Sequence, residues 1–257
     1  MIKLKNDTEI SRIRESGEIL AETFRLLSNN LGEGVSTEDL DHLARDFIEK
    51  NGARPAFLGY HDYPASICSS VNNVVIHGIP DSRKLKEGDI LSLDLGVDLA
   101  GYISDAAYTY PVGKVSPKVE ELLRTTQECL HLGIEKAVNG NRIHDISRSI
   151  FEHAKSRGYG VVHQFCGHGV GFALHEDPQV PNYISKGPNP RLKPGMVLAL
   201  EPMITLGADD VMILEDDWTV VTVDESLAAH FEHSVAIHSD RTEILTPIGD
   251  GAKKLAS

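Results

Sequence analysis

Residues 89–110 read DILSLDLGVDLAGYISDAAYTY and contain two apolar, β-rich segments around a short turn. A two-residue loop at Leu99-Ala100 would join them as an antiparallel hairpin in which Asp94 is paired with Asp105. Directly opposed residues lie roughly 4.5–5.5 Å apart at Cβ, where like charges destabilise a sheet unless a cation neutralises them. The alternative is two ordinary solvent-facing acids, and a slip of one residue would place them on opposite faces. The hairpin therefore predicts an antiparallel sheet and a candidate pair of metal ligands.

Three more residues extend this candidate site. Asp94 lies in the apolar run LSLDL, Glu201 ends the run GMVLAL, and Glu232 lies in HFEHSVAI. A buried carboxylate needs a partner, although each acid taken singly could reach water at a strand end. His168 in FCGHGVG has flanking glycines that allow close approach, although a lone Gly-His-Gly is more often a turn. Together these residues form an oxygen-rich set suited to two divalent ions among Mn, Fe(II), Co and Zn: Asp94, Asp105, His168, Glu201 and Glu232.

The order of predicted elements occurs twice along the chain. Apolar residues at helical spacing predict a helix over 7–30, capped by Asp7 or Thr8, and a second from Ser36 to Asn51-Gly52. Segments 66–79 and 89–97 then read as strands. Ser116-Pro117 begins a third helix, a fourth ends near Gly158, and short strands follow. Residues 1–113 and 116–240 are therefore predicted to be similar halves of one domain, 1–257, whose strands merge into one sheet.

Composition limits the classes of function. The 25 Lys and Arg against 38 Asp and Glu leave a formal charge of −13, which disfavours nucleic-acid binding. The three cysteines include no Cys-x-x-Cys pair, which is typical of a reducing compartment. The N-terminus lacks the apolar core of a signal peptide, and no segment approaches the ~18 apolar residues of a membrane span. We therefore expect a cytoplasmic protein that contacts no membrane.

Several motifs resemble those of the methionine aminopeptidases of the simple bacterial type, over nearly the whole chain. They occur in the family's order and approximate spacing: LGYHDYPASICSSVNNVVIHGIP (58–80), LDLGVDLAGYISDA (93–106), CGHGVG (166–171), HEDPQVPNY (175–183), LALEPMI (198–204) and FEHSVAI (231–237). The resemblance implies an α/β (α+β) pita-bread fold, in which two pseudo-symmetric halves and a curved antiparallel sheet hold two metal ions. It also implies a monomer acting on the N-termini of nascent peptides, with any transient ribosome association made by the catalytic domain.

The resemblance also implies roles for individual residues. Asp94, Asp105 and Glu232 match the carboxylates that bridge both metals or bind the second one, whereas His168 and Glu201 match ligands of the other. Glu201 also matches the proton shuttle. The non-ligand histidines His77 and His175 match those that contact the scissile amide, although a structural role is the default for either alone. Four residues match the methionine pocket, although plain core packing explains the last two equally well: Tyr60, Tyr63, Cys68 and Trp218.

The chain departs from the family pattern at a few positions. Phe57 and Leu174 replace the frequent Cys and Phe, and Ser104-Asp105-Ala106 replaces Gly-Asp-Thr, changes that affect substrate preference rather than the ligand set.

Two other functions compete with removal of the initiator methionine. An Xaa-Pro peptidase of the same fold would use similar ligands but usually has an extra N-terminal domain. A non-catalytic binding protein of this fold would be expected to lack metal ligands, and here none is missing.

Overall fold

The first half of the molecule is a helix pair followed by strands. The computed structural model describes residues 1–248. The first half contains helices α1 (Asp7–Asn30) and α2 (Thr37–Lys50), a 3₁₀ turn (Tyr60–Asp62), and strands β1 (Arg54–Pro55), β2 (Cys68–Val71), β3 (Val74–Ile76), β4 (Ile90–Leu99) and β5 (Tyr102–Pro111).

The second half repeats this order, as the sequence predicted. It contains helices α3 (Pro117–Lys136) and α4 (Ile143–Ser156). Its strands are β6 (Gly160–Val161), β7 (Gly167–Gly169), β8 (Glu176–Val180), β9 (Val197–Leu200), β10 (Met203–Thr205), β11 (Val211–Ile213), β12 (Val220–Thr222), β13 (Ala228–His230), β14 (His233–Ile237) and β15 (Thr242–Ile244). Every pair of neighbouring strands is antiparallel.

Capping residues define where the helices begin. Ser36 caps α2, and Ser116 caps α3 with Pro117 in its first turn, as predicted. The cap predicted for α1 is wrong. Asn6 takes this position instead of Asp7 or Thr8, because its side chain accepts from the Glu9 N–H while the Glu9 carboxylate accepts from the Asn6 N–H. This reciprocal pair satisfies two backbone donors that the helix leaves free.

The β4–β5 hairpin forms, but its register differs from the predicted one. The two-residue loop is Ala100-Gly101, and Leu99 pairs with Tyr102. Both loop residues have positive φ, 52° and 86°, as a type I′ turn requires, and glycine adopts this conformation without strain. The register moves by two, so Asp94 faces Ala107 and Asp105 faces Gly96. The two acids therefore share one face as diagonal neighbours and are not directly opposed.

The strands are divided among four hydrogen-bonded sheets, whereas we expected those of the two halves to merge into one. The first contains β1, β2, β4 and β5, the second β6, β10 and β13, the third β3, β11 and β12, and the fourth β7, β8, β9, β14 and β15. The first and fourth meet where the Glu232 N–H donates to the Ala107 carbonyl at 2.8 Å. The halves are thus joined along a seam between β5 and residues 230–234.

Both helix pairs pack on a common core. A single cluster of buried apolar side chains includes Phe24 from α1, Leu122 from α3, Leu93 from β4 and Leu198 from β9. Burial of this apolar surface is the main favourable contribution to folding. Within residues 1–248, no helix combines the length and apolarity needed to cross a membrane.

An ion pair between Lys5 and Glu176 connects the N-terminal segment to the start of β8. The Lys5 Nζ donates to Glu176 Oε2 at 2.7 Å, and their side chains are only 1% and 3% exposed. Glu176 Oε1 also accepts from the backbone N–H groups of Phe172 and Ala173, at 2.7 and 3.0 Å. Glu176 therefore holds the turn that leads into His175.

Replacing Lys5 should destabilise the protein strongly. Lys5→Met leaves the Glu176 carboxylate buried without its cation, so the free energy of unfolding should fall by about 3–5 kcal/mol. The control is Arg45→Ala, which removes the exposed Arg45–Glu49 pair and should cost less than about 1 kcal/mol. Urea unfolding of both variants measures the difference. Equal, small losses would show that the buried pair contributes no more than an exposed one.

Candidate metal centre

Five candidate ligands, three on strands and two directly after strands or between them, line one cavity. Asp94 lies midway along β4, Asp105 on β5, and His168 at the centre of β7. Glu201 follows β9 directly, and Glu232 lies between β13 and β14. All five line this one cavity. The structure therefore brings together the complete set of acids and the imidazole that the sequence singled out.

The imidazole of His168 lies against the carboxylates. Its Nε2 is 3.9 Å from Asp105 Oδ2 and 3.6 Å from Glu201 Oε1. One potential ligand atom from each of Asp105, His168 and Glu232 lies within 4.8 Å of the other two. These separations suit donors around an ion rather than groups hydrogen-bonded directly to one another.

Glycines on both sides of His168 allow this position. A Cβ on Gly167 would lie 2.4 Å from the Ala199 carbonyl oxygen, and one on Gly169 would lie 2.3 Å from that of Asp177. Strand β7 therefore fits between β8 and β9 only with glycine at both positions. His168 Nδ1 is 3.0 Å from the Gly169 carbonyl oxygen, to which it can donate. That bond leaves Nε2 unprotonated as a metal ligand.

Three of the buried carboxylates each have an oxygen without an internal partner. Asp94 Oδ1, Asp105 Oδ1 and Glu232 Oε1 are buried without a hydrogen bond. Burial raises the pKa of Asp94 to about 7 and that of Glu201 to about 8. Burial and the neighbouring acids raise the pKa values of Asp105 and Glu232 well above the usual range. Among residues 1–248, no Lys or Arg lines the cavity. Divalent cations would satisfy this donor set, so the residues fit a metal centre.

The two non-ligand histidines line the same cavity. Burial lowers the pKa of His77 to about 4 and also lowers that of His175, so both are neutral at pH 7. His77 follows β3 and has a φ of 59°. This conformation is strained for residues other than glycine, and such strain is concentrated at functional sites. His175 Nδ1 is 2.7 Å from the Tyr60 hydroxyl, and its ring centroid is 4.3 Å from that of His168.

An apolar wall encloses the other side of the cavity. All four predicted pocket residues line it, together with Phe57 and Leu174: Tyr60, Tyr63, Cys68 and Trp218. Tyr63 and Trp218 pack edge to face, with ring centroids 4.9 Å apart. Cys68 pairs with Asp94 across β2 and β4, which places the apolar wall directly beside the carboxylates.

Several residues at the site were missed in the sequence, among them Phe165 and His230. Phe165 lines the cavity and packs edge to face on His77, at 5.8 Å between centroids. His230 is buried with its Nε2 3.4 Å from Glu201 Oε2. The signal for His230 was its position two residues before Glu232, since alternate residues of a strand share a face. Phe165 offered no comparable signal, because an aromatic residue in an apolar run is typical of any core.

A family model decides the classification. The model described as metallopeptidase family M24 matches residues 11–239. The chain belongs to metallopeptidase family M24. A divalent metal ion is therefore required by this class of enzyme, and the cluster of donors described above is the candidate site for it.

Individual relatives are similar over nearly the whole chain. The methionine aminopeptidase of Clostridium acetobutylicum is 53% identical over 96% of this chain and 99% of its own length. The solved structure of the Thermotoga maritima methionine aminopeptidase is 42% identical, with a TM-score of 0.93 over 96% of this chain and 99% of that one. This superposition confirms the pita-bread fold that the resemblance implied.

The prolidase of Pyrococcus furiosus shares the fold alone. It is 24% identical, with a TM-score of 0.78 over 95% of this chain but only 65% of its own. This chain thus matches the methionine aminopeptidases end to end and covers only part of the longer prolidase.

The metal-free protein should lose stability as pH rises from about 7 to about 8. Because burial raises the pKa of Glu201 to about 8, the folded chain keeps a proton there that the unfolded chain has lost above its ordinary pKa of about 4.3. The state that binds more protons is favoured at lower pH, so Glu201 alone should lower the free energy of unfolding by up to about 1.4 kcal/mol per pH unit. The raised pKa values of Asp94, Asp105 and Glu232 act in the same direction. Urea unfolding of EDTA-treated protein at both pH values measures this slope.

A Glu201→Gln variant provides the control. Histidines with lowered pKa values, such as His77 and His168, give the opposite slope. They do so mainly below about pH 6.5, where unfolded imidazoles take up protons. The variant should therefore show a flatter profile between about pH 7 and about pH 8. An unchanged slope would mean that Glu201 does not hold the extra proton.

Proposed function

We propose that this protein removes the initiator methionine from new polypeptides whose second residue is small, in a metal-dependent hydrolysis. The observation that carries the proposal is the meeting of five donors from both halves of the chain at the foot of one apolar pocket. Similarity to methionine aminopeptidases over 96% of the chain supports the choice of substrate. Because both halves supply donors, residues 1–257 act as one catalytic domain.

Two divalent ions would be held by the five donors. The carboxylates of Asp94, Asp105, Glu201 and Glu232 and the imidazole of His168 would hold these ions. When bound, such ions lower the pKa of water and polarise the peptide carbonyl. Within the chain itself, Glu201 can carry the proton that the water loses, since its carboxylate lies in the cavity within 3.6 Å of His168 Nε2 and 3.4 Å of His230 Nε2.

The neutral histidines orient the peptide bond. Burial, followed by the charge of Asp105, raises the pKa of Tyr60, so its hydroxyl keeps its proton and can donate to His175 Nδ1. The ring proton of His175 then lies on Nε2, where it can donate to the substrate. His77, held between Phe165 and Trp218, is a second neutral donor at the cavity wall. Such fixed donors stabilise charge that develops on the carbonyl oxygen.

The apolar wall accounts for selection of methionine. The lining combines aromatic edges with the Cys68 side chain, and a thioether packs well on aromatic edges. Phe57 and Leu174 belong to the same apolar cluster, so they shape the pocket at positions where the chain departs from the family pattern. The wall holds the methionine side chain while the histidines hold the peptide bond.

The proposed compartment is the cytoplasm. All three cysteines are free, and Cys68 and Cys129 are buried. Unpaired cysteines are typical of reducing compartments, where new chains also emerge.

Loss of a metal ligand should remove activity without unfolding the chain. Asp94→Ala and Glu201→Ala should each lower kcat/KM for a Met-Ala-Ser peptide by about three orders of magnitude, because ion-assisted stabilisation of the transition state is worth several kcal/mol. Replacing the exposed Glu215 by Ala is the matched control and should leave activity unchanged. Circular dichroism verifies that each variant folds. A fully active Glu201→Ala enzyme would contradict the assignment.

Peptide selectivity separates the proposal from an Xaa-Pro peptidase. The metal-stripped protein, supplied in turn with Mn, Fe(II), Co or Zn, should cleave Met-Ala-Ser, leave Met-Lys-Ser nearly intact and leave Ala-Pro-Ser intact. Chromatographic detection of free methionine or alanine measures each reaction. Preferential cleavage of Ala-Pro-Ser would show that the protein is an Xaa-Pro peptidase. Absence of cleavage with every ion would favour a non-catalytic binding protein.

A further inference from the structure

Residues that face each other across the seam are in antiparallel register. Each step of two residues forward on β5 is matched by a step of two residues back in segment 230–234. At its centre, the Glu232 N–H donates to the Ala107 carbonyl at 2.8 Å. On one side of this bond Asp105 lies opposite Ser234, and on the other Thr109 lies opposite His230. Asp105 and Glu232 are candidate metal ligands, so the seam passes directly beneath the metal centre.

Side-chain hydroxyls take the place of backbone groups at both ends of the seam. Ser234 Oγ accepts from the Asp105 N–H at 3.0 Å and donates to the Asp105 carbonyl at 2.8 Å. Thr109 Oγ1 accepts from the His230 N–H at 2.9 Å and donates to the His230 carbonyl at 2.7 Å. Each half therefore contributes one hydroxyl that binds both backbone groups of one residue in the other half.

Both hydroxyls are buried and fixed by further contacts. Thr109 Oγ1 is 2.8 Å from Ser92 Oγ on the neighbouring strand β4. The backbone N–H of Ser234 donates to Thr246 Oγ1 at 3.1 Å. Because Ser92 holds the Thr109 hydroxyl and Thr246 holds the main chain of Ser234, each hydroxyl can set the position of the opposite backbone.

We propose that Ser234 and Thr109 are positioning residues that set the spacing of the metal-binding carboxylates across the seam. Ser234 fixes the main chain of Asp105 relative to the strand that carries Glu232. Thr109 fixes the main chain of His230, whose ring is 3.4 Å from Glu201. The inference rests on the proposed metal-dependent function and adds that metal affinity depends on two hydroxyls that touch neither metal nor substrate.

Four variants test this inference. Ser234→Ala and Thr109→Val remove a hydroxyl, whereas Thr109→Ser keeps it and loses only a methyl group. Ser147→Ala is the matched control, because Ser147 is also fully buried but its hydroxyl donates to the Ile143 carbonyl within α4. Isothermal titration of EDTA-stripped protein with Mn(II) measures affinity, and urea unfolding measures stability.

The hydroxyl-deleting variants should bind Mn(II) about 10–100-fold more weakly than the wild type, as for other groups that orient metal ligands. Thr109→Ser and Ser147→Ala should bind as the wild type does. If Ser234→Ala does not fold, the Thr109→Val and Thr109→Ser pair decides. If the folded hydroxyl-deleting variants bind Mn(II) with wild-type affinity and lose only as much stability as Ser147→Ala, the two hydroxyls have a merely structural role. That result would overturn the inference. A wild-type protein that binds none of Mn(II), Fe(II), Co(II) and Zn(II) would instead overturn the proposed function.

Discussion

Burial of four neighbouring carboxyl groups, together with their mutual repulsion, is the constraint on which the site depends. Asp94, Asp105, Glu201 and Glu232 line a cavity in which, within residues 1–248, neither Lys nor Arg balances their charge. Leaving buried ionised groups unpaired costs several kcal/mol each, so the metal-free chain keeps protons there that ordinary carboxyls would lose. This arrangement is unfavourable for folding alone and is explained by bound cations.

The surrounding fold holds these groups in place by main-chain contacts rather than by ion pairs. Glycines beside His168 let β7 approach β8 and β9, and the Asn182 side chain donates to the Glu201 carbonyl at 2.9 Å. Hydroxyls of Ser234 and Thr109 join the two halves at the seam. Because each contact acts on the backbone, the acidic side chains stay directed at the cavity.

Much of the site could be predicted because its residues break local rules. An acid within LSLDL and another after GMVLAL are anomalous in apolar strands, and this anomaly identified Asp94 and Glu201. The hairpin analysis placed Asp94 and Asp105 on one face, which is correct because the register error of two preserves the alternation of faces. It predicted directly opposed acids, which is wrong, because Ala100-Gly101 forms the turn. Phe165 could not be found, since core and pocket aromatics look alike in sequence.

The sequence by itself determined the helix pairs, the order of the halves, the candidate donors and the family resemblance, because caps, periodicity and motif spacing are local properties. Only the tertiary structure decided the hairpin register, the division into four sheets and the seam between Asp105 and Ser234. The register follows from which residues form the turn, Ala100-Gly101 rather than Leu99-Ala100. The seam depends on contacts between distant residues, such as Asp105 and Ser234, which are 129 positions apart. Local propensities carry no information about which hydroxyl will lie opposite which backbone.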